Sequence, residues 1–315
     1  MKPFDYHRLA ALVAVLREGS FEGAAGALHV TPSAISQRVK QLEDDLGQVL
    51  VIRATPCRAT TAGERMLRHA LSVELLERDL LSATAAVPAG SLGQGVVVPI
   101  AVNEDSLATW FITVAAACFR SHGVLLDVTV DDQDHTASWL RSGRVLAAVT
   151  TDASPIQGCA VVRLGAMRYR ATATPAFVRE WFGRGVSLAT LGRAPVIVAD
   201  RRDRLPHAFA RKLIGRMRRD LSWPTHRLPS THGGLAANMQ GLGWAVHPEA
   251  LIERELASGA LIDLVAREAL DIGLYWQCWR LDTPSLQQLS RAVVTAAASA
   301  LRRRPGAARQ PRRTP

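Results

Sequence analysis

The chain has 315 residues, of which 48% are hydrophobic, and this length suits two or three domains of ordinary size. It contains no apolar run of about 18 residues and no charged N-terminal segment followed by an apolar signal core, so we expect a cytoplasmic protein without membrane contact. The formal net charge of +10 is unevenly placed, since residues 1–90 carry ten basic and ten acidic side chains, whereas residues 201–220 carry eight basic and two acidic ones.

Residues 20–46 have the pattern of two short helices joined by a tight turn. In the second helix, Ile35, Val39 and Leu42 recur at helical spacing and predict a buried stripe. Thr31 is a good N-cap and Pro32 suits the first helical position, so the helix begins with backbone N–H groups that can bind a DNA phosphate. This layout is typical of a helix-turn-helix whose second helix lies in the major groove. An ordinary helical hairpin is the alternative.

The opposite face of the second helix carries short polar and basic side chains, which predict contacts with DNA. The predicted contacts from this helix are Thr31, Ser33, Ser36, Gln37, Arg38 and Lys40. Beyond Gly47, an apolar strand over residues 49–53, a proline-containing tip and a second strand near Arg58 predict a wing. Arg53 and Arg58 then lie where they can reach a phosphate or the minor groove. Solvated surface arginines are the alternative.

The segment from residue 4 to about residue 86 resembles the DNA-binding half of a LysR-type transcriptional regulator. SAISQRVKQLE, the wing arginines and TTAGERML occur in the family's order and spacing. One departure is Pro32, where many relatives carry Gln, so the base contact of that Gln is not carried over. The resemblance implies double-stranded DNA with an inverted repeat as the partner, and RNA polymerase as a further partner.

Residues 61–86 are rich in helix formers, with leucines along one side and charges on the other. This segment resembles the family's linker helix, which packs against its counterpart in a second subunit and implies a homodimer or tetramer. A surface helix that docks on its own domain is the alternative.

After a Pro- and Gly-rich boundary at residues 87–95, apolar strand-length runs alternate with helical segments, such as a predicted helix over residues 107–120. We expect a parallel sheet with helices on both faces. A second set of elements begins near Met167, and residues 274–281 return as a strand before a terminal helix over residues 285–301. Two α/β lobes then enclose a cleft, where ligands bind at the carboxyl ends of strands.

The predicted fold is an α+β chain in two parts. An N-terminal winged helix-turn-helix, with an all-α core and a wing, is followed by a linker helix and by a two-lobed α/β regulatory domain, which the family resemblance likens to a periplasmic binding protein. The predicted domains are the winged helix-turn-helix (1–60), the linker helix and hinge (61–90), the effector-binding domain (91–302, with its second lobe at about 166–267) and a disordered basic tail (303–315).

Polar residues follow the first strand of the regulatory part. In NEDSLATW, either Ser106 or Asp105 is expected at a helix N-cap. An anionic group such as an α-carboxylate can then bind the Ser106 hydroxyl and the amides of the next turn, up to Thr109. This end of the cleft is predicted to hold the carboxylate of the ligand.

Carboxylates follow several other strand ends. DDQDH places Asp131, Asp132 and Asp134 together, and Asp200 and Asp203 follow a strand of the second lobe. If these strand ends converge, they form an acidic pocket beside the carboxylate site, which suits a zwitterion with a basic tail. Solvent-facing loops are the alternative interpretation.

A closer resemblance covers nearly the whole chain, to about residue 301. AVNEDSLATWF, VDDQDH, LGAMRYRATATPAFV and ERELASGALIDL are similar to the ArgP/LysG subgroup of LysR-type regulators. This resemblance implies a sensor of lysine or arginine that activates a gene for a basic amino-acid exporter. Asp132 is the first choice for the cationic end of the ligand, and Thr231 is placed by the resemblance. The predicted effector-binding residues are Ser106, Thr109, Asp132, Thr150, Asp200, Asp203 and Thr231.

Several kinds of chemistry lack their sequence signatures. The cysteines lie far apart without a CxxC pair, which predicts reduced thiols and argues against zinc or disulfides. These are Cys57, Cys118, Cys159 and Cys278. No GxSxG motif or glycine-rich phosphate loop is present, so we expect no enzyme, no catalytic residues, no metal and no cofactor. An effector-independent DNA-binding protein of nucleoid or replication-origin type is the alternative function.

Overall fold

The N-terminal part is a three-helix core with a short hairpin. We describe the protein from a computed structural model over residues 5–84, 96–130, 133–214, 223–266 and 268–303. The first elements are α1 (Tyr6–Glu18), α2 (Phe21–Ala27), α3 (Pro32–Leu46) and the antiparallel strands β1 (Val51–Ile52) and β2 (Arg58–Ala59). The prediction for the start of α3 is confirmed, because Thr31 is the N-cap and its hydroxyl accepts a hydrogen bond from the Ala34 N–H at 3.2 Å.

Close packing holds this part to the linker helix that follows, α4 (Thr61–Thr84). Leu12 and Ile35 are fully buried between the three helices, and burying a side chain of this size contributes about 1.5–3 kcal/mol. Gly63, in the first turn of α4, lies against the backbone next to the wing. A Cβ atom at Gly63 would lie only 2.0 Å from the Leu50 carbonyl oxygen, so this close approach requires glycine.

The leucines of α4 lie in two environments. Leu67, Leu71 and Leu75 are buried within the chain, whereas Leu76 and Leu80 are 48% and 63% exposed. The single apolar side expected from the sequence is therefore wrong in this detail. One stripe of α4 packs on its own chain, and a second apolar stripe remains at the surface.

The first lobe contains the parallel part of the sheet. Its elements are β3 (Val97–Val102), α5 (Glu104–Ser106), a π-helical turn (Leu107–Phe111), α6 (Ile112–His122), β4 (Leu125–Val130), α7 (Gln133–Ser142) and β5 (Ala147–Thr150). β3 pairs in parallel with both β4 and β5, as the alternation of strands and helices predicts. Val102 lies beside Val130 and Val149 in this register, so the three strands end at one edge of the sheet.

The second lobe follows a long strand, β6 (Cys159–Ala173), and the chain then returns to the first lobe. The remaining elements are α8 (Pro175–Phe182), α9 (Leu188–Leu191), β7 (Val196–Val198), α10 (Leu205–Ile214), β8 (Thr225–Arg227), α11 (Thr231–Met239), β9 (Ala245–Pro248), α12 (Glu253–Ser258), β10 (Ile262–Asp263), β11 (Leu270–Trp279) and α13 (Pro284–Ala300). Trp244 and Phe209 are buried in this lobe, with ring centroids 6.2 Å apart.

One seven-stranded mixed sheet connects the two lobes. Its order is β10-β6-β11-β5-β3-β4, and β9 also pairs with β6. The parallel sheet expected from the sequence is confirmed for β3, β4 and β5 but is wrong for the whole sheet. The reason is that β6 and β11, the strands that cross between the lobes, run antiparallel to each other, and β11 also runs antiparallel to β5. Within the described ranges, no helix has the length and apolar character needed to cross a bilayer.

Candidate DNA-binding and effector sites

The six polar residues predicted to contact DNA lie together at the start and along one side of α3. Ser36 and Arg38 are half-buried, and the other four are exposed. The exposed ones are Thr31, Ser33, Gln37 and Lys40. The Thr31 and Ser33 hydroxyls lie 3.0 Å apart at the start of the helix. The helix thus presents a polar surface opposite its buried stripe, which is the arrangement that readout of base edges needs.

Glu43 in α3 holds the wing to this helix. Its Oε1 atom accepts hydrogen bonds from two successive backbone N–H groups, Leu50 at 2.7 Å and Val51 at 3.2 Å. Hydrogen bonds to a charged acceptor are stronger than those between neutral groups, so the orientation of the wing relative to α3 is fixed by this carboxylate. Glu43 was not predicted from the sequence, because its role depends on a chain reversal that the helical pattern does not reveal.

The two wing arginines differ in their surroundings. The Arg53 guanidinium lies 4.8 Å from the centroid of the Phe21 ring, in a cation–π contact. Arg58 is exposed on β2, opposite Ile52. Arg53 is therefore oriented by an aromatic ring of α2, a contact that the sequence analysis did not anticipate.

A cavity of about 830 Å³ lies between the two lobes of the C-terminal part. It is lined by the start of α5, the end of β4, the turn after β7, the start of α11 and β9. The polar residues in its lining include Asn103, Glu104, Asp105, Asp200, Asp203, Thr231 and His247. Asp200, Asp203 and Thr231 were predicted from the sequence, and the structure brings these three together.

Asp105 is a partly buried carboxylate with neutral partners. Its Oδ2 accepts a hydrogen bond from the Tyr169 hydroxyl and its Oδ1 accepts one from the Thr231 hydroxyl, each at 2.8 Å. Burial raises the pKa of Asp105, because the charged form loses its hydration. Burial, and then the nearby Asp105 carboxylate, raises the pKa of Tyr169 well above its ordinary value.

Asp203 is a second carboxylate with a raised pKa, again because of burial. It accepts hydrogen bonds from the backbone N–H groups of Leu205, at 2.9 Å, and Ala199, at 3.3 Å. Asp200 accepts hydrogen bonds from the N–H groups of Arg202 and Asp203 in the same turn. These carboxylates therefore shape the turn after β7 as well as lining the cavity.

Glu104 and Asp105, both of the first lobe, bind the start of α11 in the second lobe. The Glu104 Oε1 atom accepts a hydrogen bond from the Thr231 backbone N–H at 2.6 Å, and Asp105 accepts one from the hydroxyl of the same residue. Thr231 is the first residue of α11, and Ser230 is its N-cap. A single residue of the second lobe is thus held by two adjacent carboxylates of the first.

Within the described residues, two buried polar atoms of the cavity lining have no hydrogen-bond partner. They are Asn103 Oδ1 and His247 Nε2, in side chains that are only 8% and 5% exposed. Burial lowers the pKa of His247 to about 4, so the imidazole is neutral at pH 7. Buried polar atoms of this kind are costly unless a ligand or water pairs with them. Asn103, Glu104 and His247 were not predicted from the sequence as ligand-binding residues.

The expected N-cap at Ser106 or Asp105 is wrong. β3 ends at Val102 and Asn103 has an extended backbone, so the helix begins earlier than expected, with Asn103 as its N-cap. Ser106 lies inside the helix, fully buried, and its Oγ has no hydrogen-bond partner within the described residues. The Thr109 hydroxyl donates to the Asp105 carbonyl oxygen at 2.6 Å.

The remaining predicted effector residues lie elsewhere. Thr150 is buried at the end of β5, and its hydroxyl accepts a hydrogen bond from the Asp152 N–H at 3.1 Å. Among the described residues, the cavity lining includes neither Thr150 nor Ser106 and Thr109. Asp132 lies outside the described residues.

A winged helix-turn-helix joined to a two-lobed domain with an interlobe cavity defines a DNA-binding regulator with a separate ligand-binding part. Residues 6–64 match the model of the bacterial regulatory helix-turn-helix protein, lysR family, and residues 98–298 match that of the LysR substrate binding domain. The chain belongs to the LysR family of transcriptional regulators. It is a DNA-binding regulator and not an enzyme.

The similarity to individual LysR proteins extends over almost the whole chain. The HTH-type transcriptional regulator LysG of Mycobacterium tuberculosis is 46% identical over 309 residues, which cover 96% of this chain and 98% of that protein. The crystal structure of ArgP from Mycobacterium tuberculosis is 43% identical, with a TM-score of 0.82, over 96% of this chain and 100% of that one. Full-length LysG from Corynebacterium glutamicum with bound effector Arg is 37% identical, with a TM-score of 0.74, over 95% and 100%. The regulator is therefore of the LysG/ArgP type.

Proposed function

We propose that the interlobe cavity binds a basic amino acid, L-lysine or L-arginine, and that this ligand controls how the protein acts on DNA. The observation that best supports this is the pair Asp105 and Asp203, two carboxylates with pKa values raised by burial. In the described part of the chain, neither forms an ion pair. A buried charge without an opposite charge is costly. A guanidinium or ammonium group that enters the cavity supplies the missing partner.

The ligand class is also supported by a related protein, since LysG of Corynebacterium glutamicum has arginine as its bound effector. We assign the cationic end of the ligand to Asp105 and Asp203, with Asp200 and Asp132 as further carboxylates. Thr231 is assigned to the α-substituents of the ligand. Ser106, Thr109 and Thr150 are not needed for this arrangement.

The regulatory role follows from the same resemblance. We propose a cytoplasmic activator of a basic amino-acid exporter gene that acts with RNA polymerase. Each chain has one recognition helix, so two chains related by a twofold axis are suited to an inverted repeat. The exposed leucines of α4, Leu76 and Leu80, are suited to the contact between subunits of a homodimer or tetramer.

Isothermal titration calorimetry of the full-length protein with L-arginine, L-lysine and the uncharged analogue L-norleucine tests the ligand class. We expect arginine or lysine to bind at least about tenfold more tightly than norleucine, and Asp203→Asn to remove most of this preference. Asp127→Asn is the matched control, because Asp127 is an exposed carboxylate on β4 of the first lobe.

Equal binding of norleucine and lysine would exclude the acidic site. The absence of binding by all three, with salt-dependent DNA binding that ignores sequence, would favour the effector-independent alternative.

A further inference from the structure

The start of α11 is already occupied by a carboxylate of this chain. The N–H groups in the first turn of a helix have no partner within the helix and attract anions. Here the Ser230 hydroxyl accepts a hydrogen bond from the Gly233 N–H at 3.1 Å, and Glu104 Oε1 accepts one from the Thr231 N–H at 2.6 Å. Glu104 reaches across from the first lobe to make this contact.

The surroundings of this contact are those of a ligand site. Glu104 and Thr231 both line the interlobe cavity of about 830 Å³. Asn103 and His247 line the same cavity, and each holds a buried polar atom without a hydrogen-bond partner among the described residues. Unpaired polar atoms are costly, so these two residues favour a polar molecule in the cavity that they line.

We infer that Glu104 is an internal competitor of the effector, whose carboxylate occupies the α-carboxylate subsite at the start of α11 until an amino acid displaces it. This inference rests on the proposed function, since it takes the effector to be an amino acid. The exchange is electrostatically balanced at the helix, because one carboxylate replaces another on the Thr231 N–H. The α-ammonium and basic side chain of the ligand then add positive charge beside Asp105 and Asp203.

Glu104 therefore weakens effector binding. An effector that takes the Thr231 N–H must first break a charge-assisted hydrogen bond, and the measured affinity is reduced by the free energy of that contact. The contact also joins the lobes, so its replacement by the ligand changes which group connects α5 to α11.

The first test compares arginine with agmatine, which lacks the α-carboxylate, in calorimetric titrations of the wild type and Glu104→Gln. Glutamine keeps the size of the side chain but is a weaker, uncharged acceptor. We expect Glu104→Gln to bind arginine about tenfold more tightly than the wild type, with little change for agmatine. If Glu104→Gln binds arginine more weakly, Glu104 contacts the cation of the ligand instead, and the inference is overturned while the proposed function stands.

A second pair of variants tests the subsite without altering Glu104. Thr231→Ala and Thr231→Pro both remove the hydroxyl, but only proline removes the backbone N–H. Proline is well tolerated as the first residue of a helix, and Ser230 before it has the extended backbone that proline requires (φ −161°, ψ 126°). We expect Thr231→Pro to bind arginine about tenfold more weakly than Thr231→Ala, with equal affinities for agmatine.

Equal arginine binding by these two variants would overturn the inference. A neutral amino acid that binds the wild type better than arginine, and better still after Glu104→Gln, would support the carboxylate subsite and contradict the basic effector. Lack of binding of every amino acid to both the wild type and Glu104→Gln would overturn both.

Discussion

Asp79 of the linker helix caps the terminal helix of the regulatory part through Ser285. The Asp79 carboxylate accepts hydrogen bonds from the Ser285 backbone N–H, at 3.2 Å, and from the Ser285 hydroxyl. Ser285 is the second residue of α13, whose own N-cap residue, Thr283, makes no side-chain capping bond. The linker helix therefore supplies the cap that α13 lacks, and so connects the DNA-binding part to the regulatory part.

Asp79→Ala is expected to lower the free energy of unfolding by about 1–2 kcal/mol, the usual cost of removing a helix cap. The measurement is urea-induced unfolding, together with hydrogen exchange of the amides in the first turn of α13. Glu77→Ala is the control, since Glu77 is exposed on the same helix, and a surface change of this kind costs within about 0.5 kcal/mol. Equal losses for the two variants would show that the cap contributes nothing.

His247 is expected to make stability depend on pH between 6.5 and about 4. Its pKa falls from 6.5 to about 4 on burial, so protonation favours the unfolded chain throughout this interval. The stability contributed by the neutral imidazole is complete above pH 6.5 and is lost as the pH falls, by up to about 3 kcal/mol. His247→Gln should lack this loss. Unfolding in urea at pH 7, 5.5 and 4.5 measures it.

Comparing the wild type with His247→Gln separates the effect of His247 on stability from the effects of Asp105 and Asp203. Burial raises the pKa values of Asp105 and Asp203, and protonation of these carboxylates stabilises the folded state as the pH falls. Both proteins keep them, so the difference between wild type and variant reports on His247. Parallel stability curves for the two proteins would contradict the neutral, buried state of this imidazole.

The features that the sequence predicted well depend on short-range patterns. The bounds of α3 follow from the Thr31 cap, Pro32 and the apolar spacing. The cleft was also predicted to gather strand ends, and Asp200 and Asp203 do line one cavity, together with Thr231, which the resemblance had placed there.

The features that the sequence could not predict depend on contacts between distant segments. Glu104 and Thr231 are 127 residues apart, and nothing in NEDSLATW shows which lobe its acidic side chains will face. The error at Ser106 arose because Asn103, Glu104 and Asp105 are all compatible with a helix start. The choice among them depends on where β3 ends against its neighbours.

Gln37→Ala is expected to relax base preference with a small loss of total affinity. Gln37 is exposed on α3, opposite the buried stripe, where an amide can contact a base edge. Such contacts contribute about 1–3 kcal/mol of discrimination. The measurement is the ratio of binding constants for the operator and for operators with single base changes. Gln41→Ala, a half-buried amide one turn further along α3, is the control.

Arg58→Ala is expected to weaken binding to all DNA sequences alike. Arg58 is exposed on the wing, and removing its bond to a phosphate lowers the slope of log affinity against log salt by about one. Titrations at several salt concentrations on specific and nonspecific DNA measure the slope. A loss of specificity in this variant, with specificity kept in Gln37→Ala, would reverse the roles of the two surfaces.

Leu80→Glu is expected to convert a dimer or tetramer into smaller species. Leu80 is 63% exposed on the linker helix, and in a symmetric pair each subunit contributes the same residue. Losing the burial of one leucine side chain in each subunit costs about 1.5–3 kcal/mol per side chain, and two introduced carboxylates repel each other. The dissociation constant between subunits should therefore rise at least about a hundredfold, as measured by sedimentation equilibrium.

Leu188→Glu is the control, since Leu188 is a 40% exposed leucine of α9. A wild-type chain that sediments as a monomer at micromolar concentration, yet protects a single operator tightly, would contradict assembly through this helix.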